Sequence, residues 1–273
     1  MARPGRTPPH LVVHHVHDPP HGLAGRAFRV WLPAGYADDP ARRFPVLYLQ
    51  DGQNVFDDAT AATGRSWRAG DRVQRLIDQR RLPPLLLVGI DNSGPHRTDD
   101  YTPVSHHGRG GRAGALAHLL TDVIKPFVDA RYRTLPEREH TAIAGSSLGG
   151  LFALHLALTR PDAFSRVAAL SPTAWWGNAA LGRLVAALPA RPPVRIWIDA
   201  GRREAPVLRQ SVQALRDALL AKGWTQHRSA ARASLRHAEP VRGRHDEASW
   251  GVRLDRALRF LFPAPTRSRR RRA

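Results

Sequence analysis

"TAIAGSSLGGLFALHLAL", residues 141–158, passes from a β-rich apolar run into a leucine- and alanine-rich one through two adjacent serines set between glycines. Gly145, Ser147 and Gly149 form G-x-S-x-G around the second serine, whereas Ser146 has no such frame. The pattern predicts a strand over 140–145, a tight turn at Ser147 and a helix over 148–159. That is the context in which a serine is held as a nucleophile, with flanking glycines relieving the crowding of a sharp strand-to-helix turn. The helix start also leaves backbone N–H groups without intrahelical partners, among them that of Leu148, and these suit a developing oxyanion. The alternative is a glycine-rich helix start carrying an ordinary serine. Ser146 is read as a packing residue beside the turn.

Working outward, buried β-rich runs alternate with amphipathic helices. "FPVLYLQDG" (44–52), "PLLLVGIDN" (84–92), "RVAALSP" (166–172), "VRIWIDAG" (194–201) and "SLRHAEPV" (234–241) read as strands. Segments 71–82, 118–132, 207–223 and a last segment ending at 260–262 read as helices. Such alternation predicts a mostly parallel sheet covered on both faces. "HLVVHHVH" (10–17) and "GRAFRVWLP" (25–33) alternate as antiparallel edge strands do. A frayed N-terminus (1–9), one domain (10–262) and a basic, disordered tail (263–273) complete the expected organisation.

Composition narrows the classes. No apolar run approaches the roughly 20 residues of a membrane helix, and the N-terminus lacks the apolar core of a secretory signal, so a soluble, cytoplasmic protein is expected. The absence of cysteine excludes disulfides, thiol nucleophiles and thiolate metal sites. The formal charge is +19, and since Lys125 and Lys222 are the only lysines among 42 basic residues, 40 are arginine. Nucleic-acid binding is one reading of that charge. The arginines are spread along the chain without a stripe or a recognised nucleic-acid motif, so a composition bias is preferred and no specific nucleic-acid partner is expected.

A nucleophilic serine needs a base and the base an orienting acid, in chain order Ser, Asp/Glu, His for this architecture. His10, His14, His15, His17 and His21 precede the serine at irregular spacing on a surface strand, and His155 lies on the following helix. His227 follows a helix, and His237 lies within a strand. His245, in "VRGRHDEASW", sits in a glycine-containing loop between the last strand and the last helix, from which it reaches over the C-terminal edge of the sheet. For the acid, "VRIWIDAGRREAP" offers Asp199 inside a strand and Glu204 in the loop beyond. Loops carry catalytic groups more readily than strand interiors, so Glu204 is preferred and Asp199 stays the competitor.

With these motifs in order, the chain resembles the Putative esterase family of α/β-hydrolases, which holds enterochelin esterases, feruloyl and acetylxylan esterases and S-formylglutathione hydrolases. The resemblance covers residues 10–262 and rests on "GSSLGG", "RVWLPAGY" (29–36), "PVLYLQDGQNVFD" (45–57), "LLLVGIDN" (85–92), "RTDDYTP" (97–103), "LSPTAWWGN" (170–178) and "GRHDEASW" (243–250). It is closest to the siderophore-esterase-like branch. It implies the α/β-hydrolase fold, Ser147 as nucleophile and His245 as general base, and "GRRE" as the acid-bearing loop, which favours Glu204. It also implies Gln53, in "DGQN", as the second backbone oxyanion donor beside Leu148, and a small-molecule ester as substrate with no metal or organic cofactor. The two arginines beside Glu204 depart from the family's usual small residue. The separate N-terminal domain of longer enterochelin esterases is not expected here, which bears on recognition of a bulky siderophore.

Trp175, Trp176 and Tyr101 are aromatic candidates for lining the substrate pocket, with core filling as the alternative for each. Phe56 and Trp67 share that ambiguity, while Trp250 is read as packing the last helix. Arg97 is placed to meet a substrate carboxylate or catecholate, with a salt bridge to Asp99 or Asp100 as the competing role. "GRGGRAG" (108–114) follows no buried strand and is read as a flexible loop rather than a dinucleotide site. The expected function is serine carboxylic-ester hydrolysis. A siderophore trilactone esterase and an acyltransferase on the same residues are the alternatives, as is a catalytically inactive binding homologue.

Overall fold

The computed structural model describes residues 7, 9–17 and 19–263, so the expectations for 1–9 and for the tail lie almost wholly outside the described residues. Strand β1 (His10–Val16) pairs antiparallel with β2 (Arg26–Leu32), followed by β3 (Val46–Gln50), α1 (Ala69–Asp78) and β4 (Leu86–Ile90). A short helix, α2 (Arg97–Tyr101), leads to a small hairpin, β5 (Ser105–His106) and β6 (Arg109–Gly110). Helix α3 (Ala113–His118) continues through a π-helical stretch into α4 (Lys125–Arg131). Then come β7 (Thr141–Ser146), α5 (Ser147–Thr159), β8 (Arg166–Leu170), α6 (Trp176–Ala187) and β9 (Arg195–Asp199). Helix α7 (Pro206–Ala221), β10 (Leu235–Ala238) and α8 (Glu247–Leu261) complete the described chain.

The eight-stranded sheet has the order β1-β2-β4-β3-β7-β8-β9-β10. Pairings from β4 to β10 are parallel, and only those of β2 with β1 and β4 are antiparallel. β2 therefore lies inside the sheet, and the expectation of two N-terminal edge strands holds only for β1. The segment 108–114, expected as a loop, instead contributes β6 and the start of α3. A helix at Trp176–Ala187 was not anticipated.

Side-chain alternation explains the three layers. Val46, Tyr48, Leu86 and Val88 point to one face, where Leu116, Leu120, Phe152, Leu154, Val212 and Leu215 from α3 and its extension, α5 and α7 cover them. Leu47, Leu49, Leu87 and Trp197 point to the other, beneath Val73 and Leu76 of α1 and Leu254 and Leu258 of α8. Strands buried on both faces read as continuous apolar runs, which is why "VLYL" and "LLLV" lack polar alternation. No helix among the described residues is long and apolar enough to cross a membrane. Because β3, β4 and β7–β10 run in one direction, their C-terminal ends meet at one edge of the sheet, where open α/β folds place their sites.

Candidate active site

β7 is buried along its whole length and ends at Ser146, whose side chain is also buried. The chain then turns at Ser147 with φ +54°, a left-handed conformation uncommon for a non-glycine residue, and enters α5. A Cβ on Gly145 would lie 2.4 Å from the Gly149 carbonyl oxygen, so the strand end and helix start touch backbone to backbone. Gly149 packs onto Gln50 and Asp51, where a Cβ would meet atoms at 3.0 and 3.1 Å. Close approach of backbone thus requires a glycine at 145, and Gly149 leaves little room for a side chain. Leu148, second in α5, has an N–H with no partner one turn earlier in the helix.

The loop from β10 to α8 carries His245. Asp246 caps α8 by accepting the Ser249 N–H at 2.7 Å, and the Ser249 hydroxyl accepts the Arg244 N–H at 2.9 Å. Held by these bonds and edge-on to the Trp250 ring at 4.8 Å, the imidazole lies between two partners. Its Nε2 is 3.1 Å from Ser147 Oγ and its Nδ1 3.1 Å from Glu204 Oε2. The Glu204 loop reaches this position because Gly201 and Gly243 meet face to face. A Cβ on Gly201 would come within 2.3 Å of Gly243 backbone atoms. Bonds from Arg203 N–H to Gly243 O and from Arg202 N–H to Pro240 O tie the two loops together. A histidine at this distance from a hydroxyl can accept its proton, and a carboxylate on the opposite nitrogen fixes the tautomer.

The two candidate acids have different partners. The Glu204 carboxylate accepts from the Ser171 hydroxyl at 2.7 Å and the Gly201 N–H at 2.9 Å, and lies 3.1 Å from the Arg253 guanidinium. Burial disfavours its charge, but hydrogen bonds from His245 and Ser171, then the Arg253 charge and the Gly201 N–H, outweigh this and hold the carboxyl below its usual value. Asp199 ends β9, fully buried, and pairs with Arg253 Nη1 at 2.6 Å and the Trp197 indole N–H at 3.0 Å. Its carboxyl is pushed up, chiefly by burial. Arg253, buried on α8, therefore bridges both acids and also donates to Ser171 Oγ at 3.0 Å. Neither Arg253 nor Ser171 was singled out in the sequence. An arginine among "WGVRLDRAL" carries no local sign that its side chain is buried. The arginines adjoining Glu204, Arg202 and Arg203, are exposed, and the cation on this acid comes from α8 instead.

Gln53 lies in the short turn Gly52–Asn54 after β3, its side-chain oxygen accepting the Asn92 N–H at 3.1 Å. Beside it Asp51, also left-handed at φ +58°, is clamped by Arg97 through bonds of 2.7 and 2.8 Å. The partner of Arg97 is thus Asp51 rather than Asp99 or Asp100. Asp100 pairs with Arg26, and Asp99 accepts the Gly110 N–H. The Asp51 contacts more than offset the burial of Arg97 and raise its pKa. Tyr101 is buried beneath the Arg97 guanidinium and accepts the Asp51 N–H, so it braces this turn from below. Trp176 is also buried, its indole N–H donating to Val104 O and fastening the β5–β6 hairpin. Trp175 is 40% exposed. Two residues before it lies Thr173, whose hydroxyl is 3.4 Å from Ser147 Oγ and whose N–H donates to Ser147 O. Among the described residues no three His, Asp or Glu side chains are grouped closely enough to hold a metal ion.

A serine at a strand-to-helix turn, at the C-terminal edge of a largely parallel sheet, defines an α/β-hydrolase-type protein. The family model for "Putative esterase" matches residues 25–261, and the chain belongs to that family of esterases. It is 27% identical over 219 residues to the uncharacterized protein YbbA of Bacillus subtilis (strain 168), covering 76% of this chain and 82% of YbbA. It is 30% identical over 174 residues to the ferri-bacillibactin esterase BesA of the same organism, covering 56% of each. A ferulic acid esterase structure superposes with a TM-score of 0.72 at 19% identity, covering 93% of this chain and 98% of that one, which shows the shared fold.

Proposed function

We propose that the protein is a serine carboxylic-ester hydrolase that works through an acyl-enzyme on Ser147. The observation that carries this reading is the unbroken line of hydrogen bonds from Ser147 Oγ through His245 to Glu204. His245 Nε2 takes the serine proton as Oγ attacks the ester carbonyl. Glu204, ionised and acting through Nδ1, stabilises the resulting imidazolium. The N–H groups of Leu148 and Gln53 receive the oxyanion, and the alcohol leaves with the proton from His245. Water, activated by the same imidazole, then releases the acid. Trp175, exposed beside Thr173, is the lining residue best placed to meet the substrate, whereas Tyr101 and Arg97 support the Asp51 turn. A siderophore-type ester is the finer reading, favoured by the relation to BesA.

Hydrolysis of p-nitrophenyl esters from acetate to decanoate, alongside a ferric catecholate trilactone, tests this. Ser147→Ala is expected to lower kcat by about 10⁵–10⁶-fold. Ser146→Ala is expected to stay within about tenfold of wild type, since it leaves the hydroxyl–imidazole pair in place. Turnover surviving in Ser147→Ala would refute the assignment, and cleavage of the simple esters alone would remove the siderophore reading.

A further inference from the structure

At the opposite edge of the sheet, where β8, β9 and β10 begin, lies a shallow, open concavity of about 410 Å³. Arg138, Arg166, Arg191, Arg195 and Arg232 line it, with Glu139 as the one carboxylate. Arg166 and Arg195 are register partners on adjacent parallel strands, so their side chains leave the same face side by side. Like charges in such a pair are destabilising. Neither has a carboxylate in ion-pair contact among the described residues. Arg166 donates to the Leu261 carbonyl at 2.7 Å and Arg195 to those of Phe260 and Ala230. Their guanidiniums cover the rings of Phe262 and Phe260 at 4.9 and 4.0 Å. Arg191, exposed, lies 5.9 Å from the Trp224 ring centroid, and Arg232 is exposed in the turn before β10.

Capping the C-terminal carbonyls of α8 accounts for one or two N–H groups on Arg166 and Arg195. It does not account for Arg191 and Arg232, nor for so little compensating acid. By contrast, the buried Arg26 and Arg253 are paired with Asp100 and Asp199, and the half-buried Arg29 with Asp91. Here burial, followed by repulsion from Arg166 and Arg236, lowers the Arg195 pKa to about 10. The planar guanidinium fork matches phosphate oxygens, and a shallow, open concavity suits a charged, solvated anion rather than an apolar ligand.

We infer that this arginine-lined cavity is a binding site for a polyphosphate-bearing small anion, separate from Ser147. Calorimetric titration of the full chain with inorganic triphosphate at low ionic strength tests it, with ATP as a second arm. One saturable site is expected. Replacing the two exposed lining residues together (Arg191→Gln with Arg232→Gln) should weaken binding by at least about tenfold, since each removes a charge-assisted donor. The same loss of charge at exposed Arg80 and Arg81, remote in sequence from the cavity, should change it by less than about twofold, because distant charges are screened. Tighter ATP binding points to a nucleotide and equal binding to a free phosphate chain, both within the proposal. Equal weakening by the two pairs, or titration without a saturable site, overturns it in favour of diffuse attraction. Ester hydrolysis in the Arg191/Arg232 variant reports separately on Ser147 and is expected to be unchanged.

Discussion

At the C-terminal edge of the sheet Arg253 sits between Asp199 and Glu204, Arg97 is clamped on Asp51, and His245 rests on Glu204. At the N-terminal edge Arg166 and Arg195 stand side by side on carbonyl groups and aromatic rings. The same strands thus begin in unbalanced positive charge and end in compensated networks. Compensation at the C-terminal edge leaves two buried carboxylates sharing one guanidinium. Excess at the other edge leaves donors for an anion that the chain itself does not supply.

Between the two edges, the largest expected effect separates the two acids of the compensated one. Glu204→Gln should lower kcat on a p-nitrophenyl ester by about 10³–10⁴-fold, through loss of the charge and tautomer control at His245 Nδ1. Asp199→Asn should lower it by less than about tenfold, because Asp199 reaches the histidine only through Arg253 and Ser171. Comparable losses in both would break the distinction drawn between them.

Removing the shared cation is expected to act on stability. Arg253→Met should cost about 3–5 kcal/mol in urea unfolding near neutral pH, by leaving two buried carboxylates uncompensated. The pH dependence has a definite sign. The depressed Glu204 carboxyl contributes stability above its unfolded pKa that is lost as pH falls through the lower folded value. Without Arg253 that folded value rises and Asp199, already raised by burial, rises further. The deficit of the variant should therefore shrink from about pH 8 to about pH 4, as both carboxyls become neutral in the variant. A pH-independent deficit would mean that Arg253 contributes by packing alone.

The smallest effect is expected from the same substitution at the other edge. Arg166→Met gives up one hydrogen bond to Leu261 O and relieves repulsion with Arg195, so stability should change by no more than about 1 kcal/mol. A loss as large as that of Arg253→Met would show that the capping of α8, rather than a spare cation, explains this arginine.

Local patterns made much of the fold legible. Apolar runs such as "VLYL" and "LLLV" signal strands buried on both faces. The glycines of "GSSLGG" signal a close turn, because their spacing reflects contacts within a few residues. Segment 176–187 starts with Gly177, Asn178 and Ala179 in left-handed conformation and has no side-chain cap, so its helix lacks the start signal that a sequence can show. For Arg97 the sequence offers a substrate anion or the neighbouring Asp99 and Asp100, whereas the end of β3 brings it Asp51, 46 residues away.

The sequence by itself determined the order of the eight strands of the main sheet and of most of the helices, the serine at the turn, and a loop histidine following a loop acid, since each depends on neighbours along the chain. Only the tertiary structure decided that Arg253 bridges both acids and that Gly201 meets Gly243. It also gathered five arginines, dispersed between positions 138 and 232, around one cavity. The physical reason is parallel pairing, which aligns the starts of distant strands at one edge and their ends at the other. Side chains far apart along the chain are thereby brought close enough to attract, repel or bind.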